Sequence, residues 1–203
     1  MSKKLFLKKC ITKYRETGAI LPSSKFLAKK MITKEDIEKS EVIVELWAGS
    51  GSFTEYIFKY FEEYKLNNKN TSKKIFIIEK DIDFYNVLLK KFPEYSNIIY
   101  NIDLLDIEDL MINNDVKNID LIISWLPFKS LPKEIFDFLV LEFLPKFINN
   151  TTKFIQFSYF SNFMNILSKY FKNIDKKRCL LNIPTAYIFT CSNFIKDESE
   201  WNK

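Results

Sequence analysis

The stretch VELWAGSGSF, residues 44–53, decides how the chain is interpreted. It contains two of the three glycines of the 203-residue sequence, Gly49 and Gly51. Average usage would give about fourteen glycines, so glycine is scarce everywhere else. An apolar run precedes the pair and a helical pattern follows it, which predicts a strand, a tight turn and a helix. Glycine in such a turn permits positive φ and a close approach of the backbone to a ligand.

Short apolar strands alternate with helical segments from residue 41 onward. The predicted helices are FTEYIFKYFEEYK, FYNVLLKKF, SNFMNILSKYF and PKEIFDFLVLEFLPKF, which begins at Pro132. Two further strand-like runs, RCLLNI and TAYIFTCSNF, leave no room for a crossover helix and are predicted to be antiparallel. The predicted parallel strands are residues 41–47, 74–79, 97–103, 119–125 and 153–159. We therefore expect an α/β fold with one doubly wound, mostly parallel seven-stranded sheet and an antiparallel C-terminal strand pair.

Three acidic residues lie in or directly after predicted strands. Glu45 is in the first strand, Glu79 ends the second and Asp103 ends the third. Open α/β sheets bind ligands at the carboxyl ends of their strands, where an acid after the second strand commonly holds ribose hydroxyls. One such acid is typical of a solvated strand end, but three at successive ends predict a ligand pocket.

Composition excludes several classes of protein. The chain has no histidine, and Cys10, Cys179 and Cys191 are far apart, so neither a metal site nor a disulfide framework is expected. No apolar run approaches the ~18 residues of a spanning helix, and the N-terminus lacks the features of a signal peptide. These features favour a cytoplasmic protein.

Basic charge is concentrated at the N-terminal end of a chain whose net charge is +5. Residues 1–34 contain ten Lys or Arg and one acid, Glu16. Within them, SKKLFLKKCITKYRE places apolar and basic residues on opposite sides of a helical wheel, which predicts a basic amphipathic helix. Such a helix can bind an anionic membrane, bind nucleic acid or pack on the protein's own core. The residues expected at a membrane are Lys4, Phe6, Leu7, Lys8, Lys9, Ile11, Lys13 and Tyr14.

The ordered segments VELWAGSGSF, IIEKD, NIDLLDIEDL and DLIISWLPF resemble the four motifs of class I S-adenosylmethionine-dependent methyltransferases over almost the whole chain. More specifically, GAILPSSKFLAKKM, SWLPFKSLP, QFSY and NIPTA resemble bacterial phospholipid N-methyltransferases, which convert phosphatidylethanolamine to phosphatidylcholine, and relatives that act on ornithine lipids. The rRNA adenine dimethyltransferases are also similar, but they have asparagine where Ser124 stands and normally add a helical C-terminal domain.

The resemblance implies an enzyme that methylates the amine headgroup of a membrane lipid. Its cofactor would be S-adenosyl-L-methionine and its product S-adenosyl-L-homocysteine. Residues 1–34 would attach the protein peripherally to the inner face of the cell membrane and cover the active site, and residues 35–203 would form the methyltransferase domain. Anionic membrane and amine lipid are the expected partners of a monomer that uses no metal and no nucleic acid.

The resemblance also assigns roles around the cofactor. Glu79 would hold both ribose hydroxyls, Asp103 would accept a hydrogen bond from the adenine amino group, and Leu104 and Ile82 would sandwich the adenine. The glycine turn would pass under the methionine part. The cofactor-binding residues implied in this way are Ser23, Ser24, Glu45, Trp47, Ala48, Gly49, Gly51, Glu79, Lys80, Ile82, Asp103, Leu104 and Ser124.

Two of these assignments leave alternatives open. Ser23 is equally typical of an N-cap for the helix KFLAKKM. Trp47 occupies a position where the family usually has glycine, and its indole would either shield the pocket or intrude on the cofactor.

Methyl transfer to an amine requires a free lone pair in line with the leaving sulfur. Without histidine, the proton goes to water, a carboxylate or a backbone carbonyl, and the resemblance places the carbonyls of SWLPF at this point. Aromatic faces attract methylated amines, and Trp125, Phe128 and Tyr159 are the candidates, although Phe128 is more typical of core packing. The catalytic residues implied are Ser124, Trp125, Leu126 and Tyr159.

Three functions stay open at this point. A lipid amine methyltransferase is favoured, and an RNA adenine methyltransferase whose basic N-terminus binds phosphates is the alternative enzyme. The third is a catalytically inactive lipid-binding protein, suggested by Trp47. The identity of the amine lipid and the number of methyl groups added are left undetermined.

Overall fold

The computed structural model describes residues 25–68, 72–182 and 184–196. Its strands are β1 Val42–Leu46, β2 Lys74–Ile78, β3 Ile99–Tyr100, β4 Leu121–Ser124, β5 Lys153–Ser158, β6 Phe171–Cys179 and β7 Ala186–Phe194. Its α-helices are α1 Lys25–Met31, α2 Lys34–Lys39, α3 Thr54–Asn67, α4 Ile82–Lys91, α5 Ile107–Asn113, α6 Lys133–Asp137, α7 Leu144–Phe147 and α8 Met164–Leu167.

The strands of the described residues form one seven-stranded sheet in the order β3-β2-β1-β4-β5-β7-β6. Neighbours among β1 to β5 are parallel, while β7 is antiparallel to both β5 and β6. The predicted α/β fold class is therefore confirmed. In this register Leu46 is beside Ile78 and Ser124, and Ser124 is beside Gln156. The carboxyl ends of four strands consequently meet at one edge of the sheet.

Apolar clusters cover both faces of the sheet, which explains why the central strands have almost continuous apolar sequences. In β1, Val44 and Leu46 pack into the cluster that includes Met111 and Phe143. Ile43 packs on the opposite face, into the cluster that includes the helical residues of α1 and α3. The side chains of β1 alternate between the two clusters because successive residues of a strand point to opposite faces.

Helix α1 packs directly on the second of these clusters. Its residues Leu27, Ala28 and Met31 are buried there. The predicted helix KFLAKKM therefore forms, whereas residues 1–24, including Ser23, Ser24 and the expected membrane-binding residues, lie outside the described residues. The domain boundary after residue 34 stays a prediction.

The position predicted for the sixth strand is wrong. The sequence pattern placed it at RCLLNI, but β6 is Phe171–Cys179, and Leu180–Leu181 are in the turn that follows. The helix predicted over SNFMNILSKYF is correspondingly shorter, with a 3₁₀ turn at Ser161–Phe163 before α8. Strand β6 is at the edge of the sheet and mostly exposed, so it has the charged sequence FKNIDKKRC instead of an apolar run.

The helical segment expected to begin at Pro132 is present but interrupted. Pro132 is the N-cap of α6, and a π-helical segment, Phe138–Phe143, joins α6 to α7. Pro145 has no N–H to donate to the carbonyl four residues earlier, and its ring would clash with that carbonyl in a regular α-helix. The wider π turn accommodates the proline at this point.

Candidate active site

The glycine turn after β1 has positive φ at both glycines, as the sequence predicts. Gly49 has φ +58° and Gly51 has φ +79°. A Cβ atom on Gly49 would be 2.5 Å from the indole of Trp125, and one on Gly51 would be 2.8 Å from Leu88 and Phe92. The turn therefore needs glycine for its conformation and for the close approach of the protein's own side chains.

Trp47 also has positive φ, at +65°. A residue with a Cβ costs about 1–2 kcal/mol in this conformation relative to the right-handed region. The side chain is half-buried against the first apolar cluster, and the neighbouring Ala48 is buried and donates its N–H to the carbonyl of Ile78. The structure thus retains a strained tryptophan where glycine would fit without strain.

A cavity of about 370 Å³ opens beside this turn. We call it the first cavity; its walls include Trp47, Ile78, Lys80, Asp103, Leu104 and Leu126. Lys80 and Asp103 form an ion pair across it, and both are partly exposed. Four residues predicted from the sequence to bind the cofactor are therefore brought together. Ile82, in contrast, is 55% exposed at the start of α4 and does not line this cavity.

Glu79 is buried directly behind the glycine turn, with 1% of its surface exposed. Its carboxylate accepts hydrogen bonds from the backbone N–H groups of Gly49 and Asp81, both at 2.7 Å. Burial raises the pKa of Glu79 to about 7, although the backbone hydrogen bonds oppose this shift. A carboxylate oxygen can accept more than one hydrogen bond, so Glu79 retains acceptor capacity.

Glu45 is a second buried carboxyl group close to the first. One of its oxygens accepts a 2.7 Å hydrogen bond from the hydroxyl of Thr54, at the start of α3. Its other oxygen has no hydrogen-bond partner within the described part of the chain. Burial, with a smaller contribution from the nearby charge of Glu79, raises the pKa of Glu45 to about 8. Glu45 is therefore mostly protonated at neutral pH, which sequence reasoning did not predict.

A second cavity, of about 470 Å³, lies after β4 and β5. We call it the second cavity; its walls include Trp125, Leu126, Gln156, Phe157, Tyr159 and Phe160. Leu126 lines both cavities, so the two cavities are adjacent. A group bound in the first cavity and a group bound in the second would meet at this residue.

Aromatic side chains dominate the second cavity. Trp125 packs edge-on against Phe53, and Tyr159 packs edge-on against Phe157. Burial raises the pKa of Tyr159, whose hydroxyl is hydrogen-bonded to the side chain of Asn182. Trp125 and Tyr159, proposed from the sequence as catalytic residues, are thus brought into one cavity.

Phe128 and Ser124 have structural contacts. Phe128 is buried among Phe136, Phe154 and Phe163 although it touches the second cavity, in agreement with core packing. Ser124 is fully buried, and its hydroxyl accepts a 3.2 Å hydrogen bond from the N–H of Leu126. Ser124 therefore shapes the turn after β4.

Gln156 was missed as a site residue by the sequence reasoning. Its side-chain nitrogen donates to the carbonyls of Leu126, at 3.1 Å, and Phe157, at 2.7 Å. A flipped amide would put its oxygen against these two carbonyl oxygens, so the orientation is fixed. The amide oxygen is buried and, among the described residues, accepts no hydrogen bond. The signal in the sequence is one polar residue inside the apolar strand KFIQFS.

Neither a metal site nor a membrane-spanning helix is found in the part of the chain that the structure describes. Across residues 25–68, 72–182 and 184–196, no cluster of metal-binding side chains could hold an ion, and no helix is long and apolar enough to cross a bilayer.

Methyltransferases are among the solved structures that are similar to this chain. The N-methyltransferase NodS of Bradyrhizobium japonicum, solved with S-adenosyl-L-homocysteine, has 12% sequence identity and a TM-score of 0.58, with 83% of this chain and 87% of that chain covered. The 16S rRNA methyltransferase RsmC of T. thermophilus, solved with AdoMet and guanosine, has 14% sequence identity and a TM-score of 0.53, with 83% of this chain and 41% of that chain covered. The chain has the class I methyltransferase fold. Both of these solved structures contain S-adenosylmethionine or its demethylated product, the cofactor pair expected from the sequence.

The sequence is also similar to a curated protein. The ornithine lipid N-methyltransferase of Singulisphaera acidiphila is 26% identical over 132 residues, which are 64% of this chain and 65% of that protein. The match therefore spans slightly less than two thirds of the relative's length. No family model matches the chain. The resemblance to lipid and class I methyltransferases stated from the sequence motifs is confirmed by these two kinds of similarity.

Proposed function

We propose that the protein is an S-adenosylmethionine-dependent N-methyltransferase that acts on the amine headgroup of a membrane lipid. The observation that carries the proposal is the pair of adjacent cavities that share Leu126 in their walls. The first cavity has the acidic and apolar groups that suit an adenosyl group, and the second has the aromatic faces and the free acceptor that suit an amine.

The residues of the first cavity, together with Glu79 behind the glycine turn, fit the cofactor. Glu79 would accept hydrogen bonds from the ribose hydroxyls, because its position after β2 is the usual one for this role. Asp103 would face the adenine edge, and the side chains of Leu104 and Trp47 would cover its ring. Trp47 acts in this arrangement as a wall that excludes water. Bound S-adenosylmethionine supplies a methyl group that is activated by its sulfonium centre.

The residues of the second cavity fit an amine that still bears hydrogen. The amide oxygen of Gln156, which has no hydrogen-bond partner among the described residues, would accept a hydrogen bond from the substrate N–H and so direct the substrate nitrogen towards Leu126 and the first cavity. Positioning of this kind supplies much of the rate gain in a displacement reaction. The faces of Trp125 and Tyr159 would attract the cation that accumulates as methyl groups are added.

A membrane lipid is favoured as the source of the amine by the similarity to the ornithine lipid N-methyltransferase and by the basic N-terminal segment. Phosphatidylethanolamine and ornithine lipid both present a primary amine at the bilayer surface. The enzyme would therefore work at the inner face of the cell membrane, attached peripherally. Its oligomeric state is proposed to be monomeric.

The test is methyl transfer from labelled S-adenosylmethionine to defined acceptors. Vesicles that contain phosphatidylethanolamine or ornithine lipid should become labelled, while vesicles of phosphatidylcholine and samples of ribosomal RNA should not. Labelling of RNA alone would replace this proposal with the RNA methyltransferase. Failure to bind S-adenosylmethionine in a calorimetric titration would leave a catalytically inactive lipid-binding protein.

A further inference from the structure

The hairpin between β6 and β7 lies at the same edge of the sheet as the candidate active site. Ser158, the last residue of β5, pairs with Tyr187 of β7, which in turn pairs with Arg178 of β6. The turn that follows β6 is therefore beside the carboxyl end of β5. Two leucines in this turn, Leu180 and Leu181, are each 67% exposed.

The hairpin is also in contact with the wall of the second cavity. Asn182, which follows the two leucines, is hydrogen-bonded to Tyr159 in the cavity wall. The next residue after Tyr159 is Phe160, which lines the same cavity and is 58% exposed. We call Leu180, Leu181 and Phe160 the hairpin patch. Large apolar side chains exposed beside a binding cavity are typical of an interaction surface.

The strand that leads into this patch is rich in basic residues. Strand β6 contains Lys172, Lys176, Lys177 and Arg178 against one acid, Asp175. Lys30, at the end of α1, donates a hydrogen bond to the backbone carbonyl of Arg178 and so adds another cation. Exposed apolar side chains flanked by cations match the layered chemistry of an anionic bilayer, whose phosphates lie outside its acyl chains.

We infer that the hairpin patch is a second membrane-docking surface, separate from the N-terminal segment, that inserts Leu180 and Leu181 into an anionic lipid bilayer. The cations of β6 contact the lipid phosphates, and the second cavity then opens at the depth of the headgroups. The inference rests on the proposed lipid substrate. RNA would engage the cations but would leave the two leucines in water, so it is the less suitable occupant.

The test places an environment-sensitive NBD fluorophore on Leu181→Cys in the full chain with Cys10→Ser. Cys179 and Cys191 are buried, so the label is confined to the added cysteine. Leu66→Cys is the matched control, because Leu66 is 81% exposed. Leu66 is two residues after Tyr64, whose ring is 4.2 Å from the amine of Lys73. Because Lys73 directly precedes β2, Leu66 is near the amino ends of the strands, at the edge of the sheet opposite the hairpin patch.

Vesicles of phosphatidylcholine with phosphatidylglycerol should shift the emission of the label at residue 181 to shorter wavelength and leave the label at residue 66 unchanged. The variant Leu180→Ser/Leu181→Ser should partition into these vesicles on the order of tenfold less than the unchanged chain, and Leu66→Ser should partition equally. Vesicle binding without an emission shift at residue 181 would overturn the inference.

Two other outcomes would also overturn it. A shift that rises with protein concentration before vesicles are added would show that a second copy covers the patch. A shift caused by RNA instead of vesicles would make the surface a nucleic-acid site. If the label enters the bilayer but no lipid is methylated, the docking surface stands and the proposed reaction fails, so the two proposals are separable.

Discussion

The backbone N–H of Gly49 donates a 2.7 Å hydrogen bond to the carboxylate of Glu79, thirty residues later in the chain. This bond joins the glycine turn after β1 to the acid after β2. A second backbone N–H, from Asp81, holds the other oxygen of the same carboxylate. The group proposed to hold ribose is therefore fixed in place by main-chain donors before any ligand binds.

Replacement of Glu79 should weaken cofactor binding, and Glu79→Gln also loses one of the two backbone hydrogen bonds to the carboxylate. Glu79→Gln retains one oxygen as an acceptor but loses the charge, and charge-assisted hydrogen bonds are roughly twice as strong as neutral ones. We expect the dissociation constant for S-adenosylmethionine to rise on the order of tenfold in calorimetric titrations. Asp83→Asn, an exposed acid on α4, is the control and should bind normally. If Glu79→Gln binds S-adenosylmethionine as tightly as the unchanged chain does, another residue makes the ribose contact.

Cofactor binding should also depend on pH. The pKa of Glu79 is about 7 in the protein, and the charged form is the better acceptor for ribose hydroxyls. Affinity should therefore increase between pH 6 and pH 8 in the unchanged chain and be nearly constant in Glu79→Gln. A parallel pH profile in the two proteins would assign the dependence to another group.

Glu45 should make the folded protein less stable as the pH rises. Its pKa is about 8 in the folded protein, above the ordinary value of 4.5. The folded state therefore binds this proton more tightly than the unfolded chain, and stability falls from about pH 4.5 to about pH 8 and then levels off. Glu79 contributes in the same direction up to about pH 7.

Urea denaturation across this range measures the effect. Glu45→Gln retains an oxygen for the Thr54 hydroxyl and should reduce the pH dependence of the unfolding free energy. Glu94→Gln, an exposed acid, should retain the dependence of the unchanged chain. The expectation is wrong if the unfolding free energy of Glu45→Gln changes with pH as steeply as that of the unchanged chain.

Two substitutions of Trp47 distinguish backbone strain from shielding of the cofactor. Trp47→Gly and Trp47→Ala both remove the indole from the first cavity, and both should weaken S-adenosylmethionine binding. Only glycine adopts the positive φ of this position without strain. The free energy of unfolding in urea should therefore be about 1 kcal/mol higher for Trp47→Gly than for Trp47→Ala. Tighter cofactor binding in Trp47→Gly would show that the indole intrudes on the cofactor.

Gln156→Met should lower turnover while the cofactor still binds. The substitution keeps the volume of the side chain but removes the oxygen proposed to accept the substrate N–H, so kcat should fall on the order of tenfold. The substitution also removes the donors to Leu126 and Phe157, so cofactor affinity is measured in parallel as a check on folding. Normal turnover with normal cofactor binding would exclude Gln156 from the reaction.

Deletion of residues 1–16 tests the membrane role predicted for the basic N-terminal segment. Each Lys or Arg near an anionic bilayer contributes about 1 kcal/mol, so their loss should greatly weaken co-sedimentation with anionic vesicles at moderate salt and leave the hairpin patch as the remaining contact. Activity on vesicle lipid should fall much more than activity on detergent-dispersed lipid. Full co-sedimentation of the shortened chain, or its unfolding, would assign the segment to the core.

Much of the fold was predictable because the central strands are buried on both faces. Apolar runs such as those of β1 and β4 stand out in the sequence for that reason. The edge strand β6 was misplaced because an exposed edge selects for charged residues and against the apolar pattern. The local pattern of apolar residues therefore locates the central strands of a sheet better than its edge strands.

The sequence by itself determined the succession of strands and helices along the chain, the need for glycine at residues 49 and 51, and the presence of acids at successive strand ends. These properties follow from backbone sterics and from local periodicity, which are encoded within a few residues. Only the tertiary structure decided that Lys80 pairs with Asp103, that Leu126 lines both cavities and that the oxygen of Gln156 has no donor among the described residues. Each of these depends on side chains from separate strands meeting at one edge of the sheet, and that meeting is fixed by the register of the strands.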